Sequence, residues 1–269
     1  MTLHLERDGG SIAYDDTGGE GPLVVAAPGM GDVRAVYRFL GPSLAAAGFR
    51  FVSMDLRGVG ESSTEWNDYS DAAIGEDMAA LVRHLHAGPA VLIGNSLTAG
   101  SAVLAATGHP DQVAGLVLIG PFVRDISTPA WQRMAFRAML TPPWGRSAWV
   151  SYYRKQMYPR ATPSDHGDYV NRLGRNLAEP GRFRDFRALA FNSHADAEAR
   201  LDDVDVPVLV VMGTGDPDFP DPEAEARYLA DRLGGTLVLV DGAGHYPQAE
   251  APDDVAPRVI EFLQKHRVA

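Results

Sequence analysis

The chain has 269 residues, 45% of them hydrophobic and 22% charged, the balance of a globular protein long enough to bury a large core. Its net charge of −11 repels polyanions, which excludes nucleic acid as an expected partner. No apolar run approaches the roughly 20 residues that cross a bilayer, and the absence of cysteine removes disulfides, thiolate catalysis and cysteine-bound metal together.

The N-terminus lacks a basic start followed by an apolar stretch, so no secretory signal is expected and a cytoplasmic setting is the default. Leu3–Arg7 and Ser11–Asp15 flank Asp8-Gly9-Gly10, a hairpin signal, and are expected as antiparallel edge strands. Six apolar, largely β-branched runs follow: Leu23–Ala27, Phe49–Met54, Ala90–Ile93, Gly115–Ile119, Pro207–Met212 and Thr236–Val240. Their near-continuous apolar character suits strands buried on both faces. Between them, Val33–Ala47, Ala72–His86, Leu97–Thr107, Pro222–Leu233 and Pro252–Gln264 read as helices. The expected fold is therefore α/β: a mostly parallel eight-stranded sheet with helices on both faces.

The alternation stops between Phe122 and Asp205, a stretch rich in arginine and aromatics with no strand pattern. A structureless loop of that length is improbable in a compact domain, so 122–205 reads as a helical cap insertion. The core domain is then 1–121 and 206–269. Trp131, Phe136, Trp144, Trp149 and Tyr153 are candidates to line a pocket beneath the cap, whose other aromatics form its own core. Residues 122–200 hold 13 Lys and Arg against 7 Asp and Glu. That excess either pairs with the acidic core domain or attracts an anionic substrate.

In Val91-Leu92-Ile93-Gly94-Asn95-Ser96-Leu97-Thr98, a buried strand runs directly into a helical pattern. Ser96 is either a simple helix N-cap or a hydroxyl lifted clear of the sheet on a strained turn. With Gly94 two positions before it, this segment resembles the nucleophile elbow of the α/β-hydrolase family, in its serine-nucleophile, esterase- and perhydrolase-like branch with a helical cap. Thr98 stands where the family pattern has a second glycine, so its side chain has to fit a close approach.

The resemblance extends to four more segments. Ala27-Pro28-Gly29-Met30-Gly31-Asp32 is similar to the oxyanion loop, with Pro28 where histidine is usual. It implies the backbone N–H groups of Met30 and Leu97 as the two oxyanion donors. Asp55-Leu56-Arg57-Gly58-Val59-Gly60-Glu61-Ser62 matches a structural loop, in which Asp55 and Arg57 are expected as a buried pair or as turn supports. Gly213-Thr214-Gly215-Asp216-Pro217-Asp218-Phe219-Pro220 follows a strand and offers Asp216 as the acid, with Asp218 as a rival; Asp221-Pro222 reads as a helix start. Asp241-Gly242-Ala243-Gly244-His245 follows the last strand and offers the imidazole.

Catalytic Ser96, Asp216 and His245 stand in the chain order expected of the fold. They imply a cofactor-free, metal-free serine hydrolase of the carboxylesterase type. Its expected substrate is a small, largely apolar ester, lactone or thioester, with an anionic group if the cap arginines attract one. Perhydrolysis, C–C bond hydrolysis and a ligand-binding or signalling role with little turnover remain open on the same residues. The other seven histidines, His194 among them, read as loop or surface residues.

Overall fold

The computed structural model describes residues 2–126 and 128–266. Its strands are β1 (Leu3–Arg7), β2 (Gly10–Asp16), β3 (Leu23–Ala27), β4 (Arg50–Met54), β5 (Ala90–Asn95), β6 (Val113–Ile119), β7 (Val208–Gly213) and β8 (Thr236–Val240). They form one sheet in the order β1-β2-β4-β3-β5-β6-β7-β8. The hairpin pairs Leu3 with Tyr14 and Arg7 with Gly10, and β2 pairs antiparallel with β4; every later pairing is parallel. Every residue of β3, β5 and β7 is buried, which is why these strands read as unbroken apolar runs.

Helices α1 (Leu40–Ala46), α2 (Asp71–Leu85) and α3 (Thr98–Gly108) precede 122–205, within which lie α4 (Ala130–Met139), α5 (Gly145–Gln156), α6 (His166–Asn176), α7 (Arg182–Ala190) and α8 (Ala195–Glu198). After β7 come α9 (Pro222–Arg232), α10 (Pro247–Glu250) and α11 (Pro252–Lys265). Helix α1 packs with α11, while α2 packs with α3 and α8. Among the described residues, 122–205 contain no strand. Asp221 caps α9 by accepting from the Ala224 N–H at 3.0 Å.

One helix departs from the sequence pattern. Instead of a continuous Val33–Ala47 helix there is a 3₁₀ turn over Arg34–Tyr37 and then α1. Pro42 has no N–H to bond one turn back and costs least in a helix's first turn, where a start at Leu40 puts it.

The parallel strands set the stage for chemistry. Their carboxyl ends lie along one rim of the sheet, where the loops after β3, β5, β6, β7 and β8 meet. Ligands of open α/β sheets collect at that rim.

Candidate active site

β5 ends at Asn95 and α3 begins at Thr98, so Ser96 and Leu97 carry the whole reversal. Ser96 adopts φ +60°, and of the three non-glycine residues with positive φ among the described residues it alone is buried. That conformation costs on the order of 1–3 kcal/mol and persists only where its surroundings over-determine it. Here the Ser96 N–H donates to the Ile119 carbonyl at 2.9 Å, and the Ser96 carbonyl accepts from the Phe122 N–H at 3.1 Å. A Cβ at Gly94 would lie 2.4 Å from the Thr98 carbonyl oxygen, and one at Gly29 2.8 Å from Ser96 Cβ. Neither position accepts a side chain. Thr98 fits by becoming a staple: its hydroxyl accepts from the Asn95 N–H at 2.9 Å and lies 3.0 Å from the Ala27 carbonyl at the end of β3.

The loops after β7 and β8 bring a carboxylate to an imidazole. His245 Nδ1 lies 2.7 Å from Asp216 Oδ2, with both side chains almost fully buried. Asp216 Oδ1 accepts from the Asp218 N–H at 3.0 Å, so both carboxylate oxygens are engaged. His245 is held close to the turn at Ser96, since Asn95 Nδ2 reaches the His245 carbonyl at 3.5 Å. Gly120, at φ +51°, leaves room for this junction; a Cβ there would sit 3.2 Å from His245 Nδ1 and 3.3 Å from Asp216 Oδ2. Glu250 secures the loop by accepting from the N–H groups of Gly244, Arg160 and Ala161 at 2.5, 2.6 and 2.8 Å.

Asp218 is not a bystander. Its Oδ2 lies 3.7 Å from His245 Nε2, and its Oδ1 accepts from the Tyr152 hydroxyl at 2.6 Å. His245 thus stands between two carboxylates. Burial alone would push its imidazole down, but Asp216 and Asp218 outweigh that and lift it from 6.5 to about 9. Asp216, Asp218 and His245 are also the one trio among the described residues whose ligating atoms lie within 4.8 Å of one another. Their short contacts are already spent on each other and on Tyr152, so a metal ion would have to displace these bonds.

Met30, Ser96, Leu97 and Asp218 open on a cavity of about 600 Å³. Among the described residues, the Met30 and Leu97 N–H groups donate to no protein acceptor. The loop carrying Met30 is anchored below by Asp32, which is fully buried. Asp32 accepts from the Val33 N–H at 2.7 Å, from the Tyr153 hydroxyl at 2.6 Å and from the Tyr169 hydroxyl. The Tyr37 hydroxyl donates to the Ala27 carbonyl at 2.6 Å. These contacts support the loop where Pro28 replaces histidine.

Residues 24–258 match the model of the alpha/beta hydrolase family. The chain belongs to that family. This alpha/beta hydrolase is 31% identical to a pimeloyl-[acyl-carrier protein] methyl ester esterase of Neisseria meningitidis serogroup B, over 88% of its own length and 90% of that protein. It is 27% identical to a probable esterase of Oryza sativa subsp. japonica, covering 93% and 95% of the two chains. A thermophilic esterase from Thermogutta terrifontis, solved with malate bound, superposes with a TM-score of 0.83 at 25% identity and full coverage of both chains. Each of these three relatives is described as an esterase. No helix among the described residues is long and apolar enough to cross a membrane.

Within this alpha/beta hydrolase, Phe136 and Trp149 are among the cavity-lining residues, joined by Phe122, Tyr152 and Phe191. Three of the expected aromatics lie elsewhere. Trp131 and Trp144 are 67% and 55% exposed, because no residue of α4 is buried and Trp144 follows that helix on the outside. Tyr153 is buried against Asp32, away from the cavity. Asp55 and Arg57 are both buried but do not pair with each other. Asp55 takes the Arg34 side chain and the N–H groups of Arg34 and Glu61, while Arg57 bonds Asp77 at 2.8 Å.

The arginine excess divides between two roles. Arg124 pairs with Glu225 and Arg160 with Asp254, both in the sequence after β7, whereas Arg133 and Arg137 line the cavity. His194 also lines the cavity, with Nδ1 2.7 Å from Asp71 Oδ2. Sequence reading misses it because its partner lies 123 residues away in the chain.

Proposed function

We propose that this protein is a serine hydrolase of the carboxylesterase type, cleaving a carboxylic ester, lactone or thioester through an acyl-serine intermediate. The observation that carries the reading is the buried 2.7 Å contact of His245 Nδ1 with Asp216, with the His245 carbonyl 3.5 Å from Asn95 Nδ2, the residue before the left-handed Ser96. Ser96 Oγ attacks the carbonyl carbon as its proton passes to His245 Nε2. Asp216 holds the Nδ1–H and offsets the imidazolium charge. The Met30 and Leu97 N–H groups receive the oxyanion, and each such donor typically contributes about 3–4 kcal/mol. Collapse expels the leaving group, which takes the proton from His245. Water then attacks the acyl carbon by the same route, releasing the acid and restoring Ser96.

In this scheme 122–205 is a cap over the catalytic domain formed by 1–121 and 206–269. Phe122, Phe136, Trp149 and Leu189 give the cavity an apolar wall suited to a small acyl group. The esterase relatives favour the same class of substrate. A fluorophosphonate probe tests the assignment. We expect stoichiometric labelling, mapped to Ser96 by mass spectrometry, together with hydrolysis of short p-nitrophenyl esters. An unlabelled Ser96 in folded protein leaves a binding role instead.

A pH profile tests the second carboxylate. His245 acts as a base only when neutral, and the two flanking carboxylates raise it to about 9. The kcat/KM for a neutral ester is therefore expected to climb across the alkaline range toward that value. Asp218→Asn removes one of the charges that favour the imidazolium, so its limb is expected to move to lower pH. A rate independent of pH from about 6 to about 9 contradicts the expectation.

A further inference from the structure

The mechanism above leaves a second carboxylate-backed histidine in the same cavity unused. His194 follows α7, and its Nδ1 lies 2.7 Å from Asp71 Oδ2. Asp71 is 2% exposed, and its other oxygen accepts from Asn192 Nδ2 at 2.9 Å. A Cβ at Gly100 would stand 2.6 Å from Asp71 Oδ2, so the carboxylate occupies room that only a glycine leaves. The backbone of His194 is pinned as well, its N–H donating to Asp125 Oδ1 at 2.9 Å. The imidazole is thus a built feature with one free polar atom. Among the described residues, Nε2 has no partner, and His194 lines the cavity that holds Ser96.

The Phe122 ring connects the two histidines. Its centroid is 6.0 Å from that of His194 and 6.0 Å from that of His245, so the imidazoles are no more than twice that distance apart. His245 also displays what such a ring does with a second anion, having Asp216 at Nδ1 and Asp218 at Nε2. At His194 the first place is filled by Asp71 and, among the described residues, the second is unfilled on a ring that lines the cavity. Gln132, Arg133 and Arg137 line the same space, while the carboxylates at hand are already engaged: Asp71 and Asp125 by His194 itself, and Asp218 by Tyr152 and His245. A cavity that is apolar at Ser96 and cationic a short chain away matches a molecule with an ester at one end and a carboxylate at the other.

We propose that His194, held by Asp71, is a specificity-determining residue that binds a substrate carboxylate, so that the preferred substrates are half-esters or lactones of short dicarboxylic acids. The choice of substrate rests on Ser96 being the nucleophile, whereas the anion site does not.

The test has a binding arm and a turnover arm. Calorimetry with glutarate, using butyrate as the control, compares the wild type with His194→Ala and with His194→Gln, whose amide can keep the Asp71 contact. Glutarate is expected to bind the wild type and to weaken at least tenfold in both variants. In turnover, kcat/KM for monomethyl glutarate relative to methyl butyrate is expected to fall at least tenfold in the variants, mainly through KM. No glutarate binding to the wild type overturns the proposal. So does equal affinity in all three proteins, which assigns the anion to the arginines, or an equal loss for both esters. If glutarate binds through His194 but neither ester is cleaved and Ser96 is not labelled, the hydrolase reading has failed and the anion site stands.

Discussion

Ser96→Ala is expected to lower kcat by about 10⁴-fold or more, because in the proposed mechanism Ser96 Oγ is the atom that carries the acyl group. The same position links activity to stability. Its φ of +60° belongs to a conformation that side chains disfavour, and alanine keeps the Cβ that makes it costly. Glycine removes that Cβ. Ser96→Gly is thus expected to be equally inactive yet more stable than Ser96→Ala, by about 1 kcal/mol in urea unfolding. Activity of Ser96→Ala within tenfold of the wild type removes Ser96 as nucleophile. Equal stability of the two variants means the turn is not strained. The comparison separates chemistry from folding because both variants lose the same hydroxyl and differ only in one methyl group.

The strands were legible because burial on both faces leaves an uninterrupted apolar run, as in Val208–Gly213, that few other environments produce. The elbow was legible because its constraints are local: Gly94, Ser96 and Thr98 meet within five residues. His245 and Asp216 come from separate loops, but each follows a strand and so carries a topological address. What sequence could not supply were pairings without such an address. Asp71 with His194 and Asp32 with Tyr169 join residues more than a hundred positions apart. Nothing in either local sequence names the partner. The aromatics of 122–205 illustrate the same limit, since an amphipathic segment such as Ala130–Met139 shows which residues share a face but not whether that face is covered. Trp131 lies in solvent for that reason. The family resemblance left Asp55 and Arg57 as a buried pair or as turn supports, and the structure gives each another partner, Arg34 and Asp77.

Asp32→Ala tests the other large effect, on stability and activity together. Asp32 is fully buried, and desolvation drives its carboxyl up while the hydrogen bonds from Tyr153 and Tyr169 draw it back. Truncation leaves two buried phenols and the Val33 N–H without their acceptor, at about 1–3 kcal/mol for each unsatisfied group. Partial relaxation reduces the sum, and a loss of about 3–5 kcal/mol in urea unfolding is expected. Tyr153→Phe leaves the shared acceptor in place but takes from Asp32 Oδ2 its donor and from the Tyr158 hydroxyl a partner, so it should cost about 1–3 kcal/mol, less than the loss of Asp32 itself. Because Asp32 lies two residues beyond Met30, on the loop that supplies an oxyanion donor in the proposed mechanism, Asp32→Ala should also depress kcat more than Tyr153→Phe does. A mutant as stable as the wild type means the tyrosines find other acceptors and the loop does not depend on Asp32. A destabilised mutant with unchanged kcat keeps the structural role and detaches the loop from catalysis.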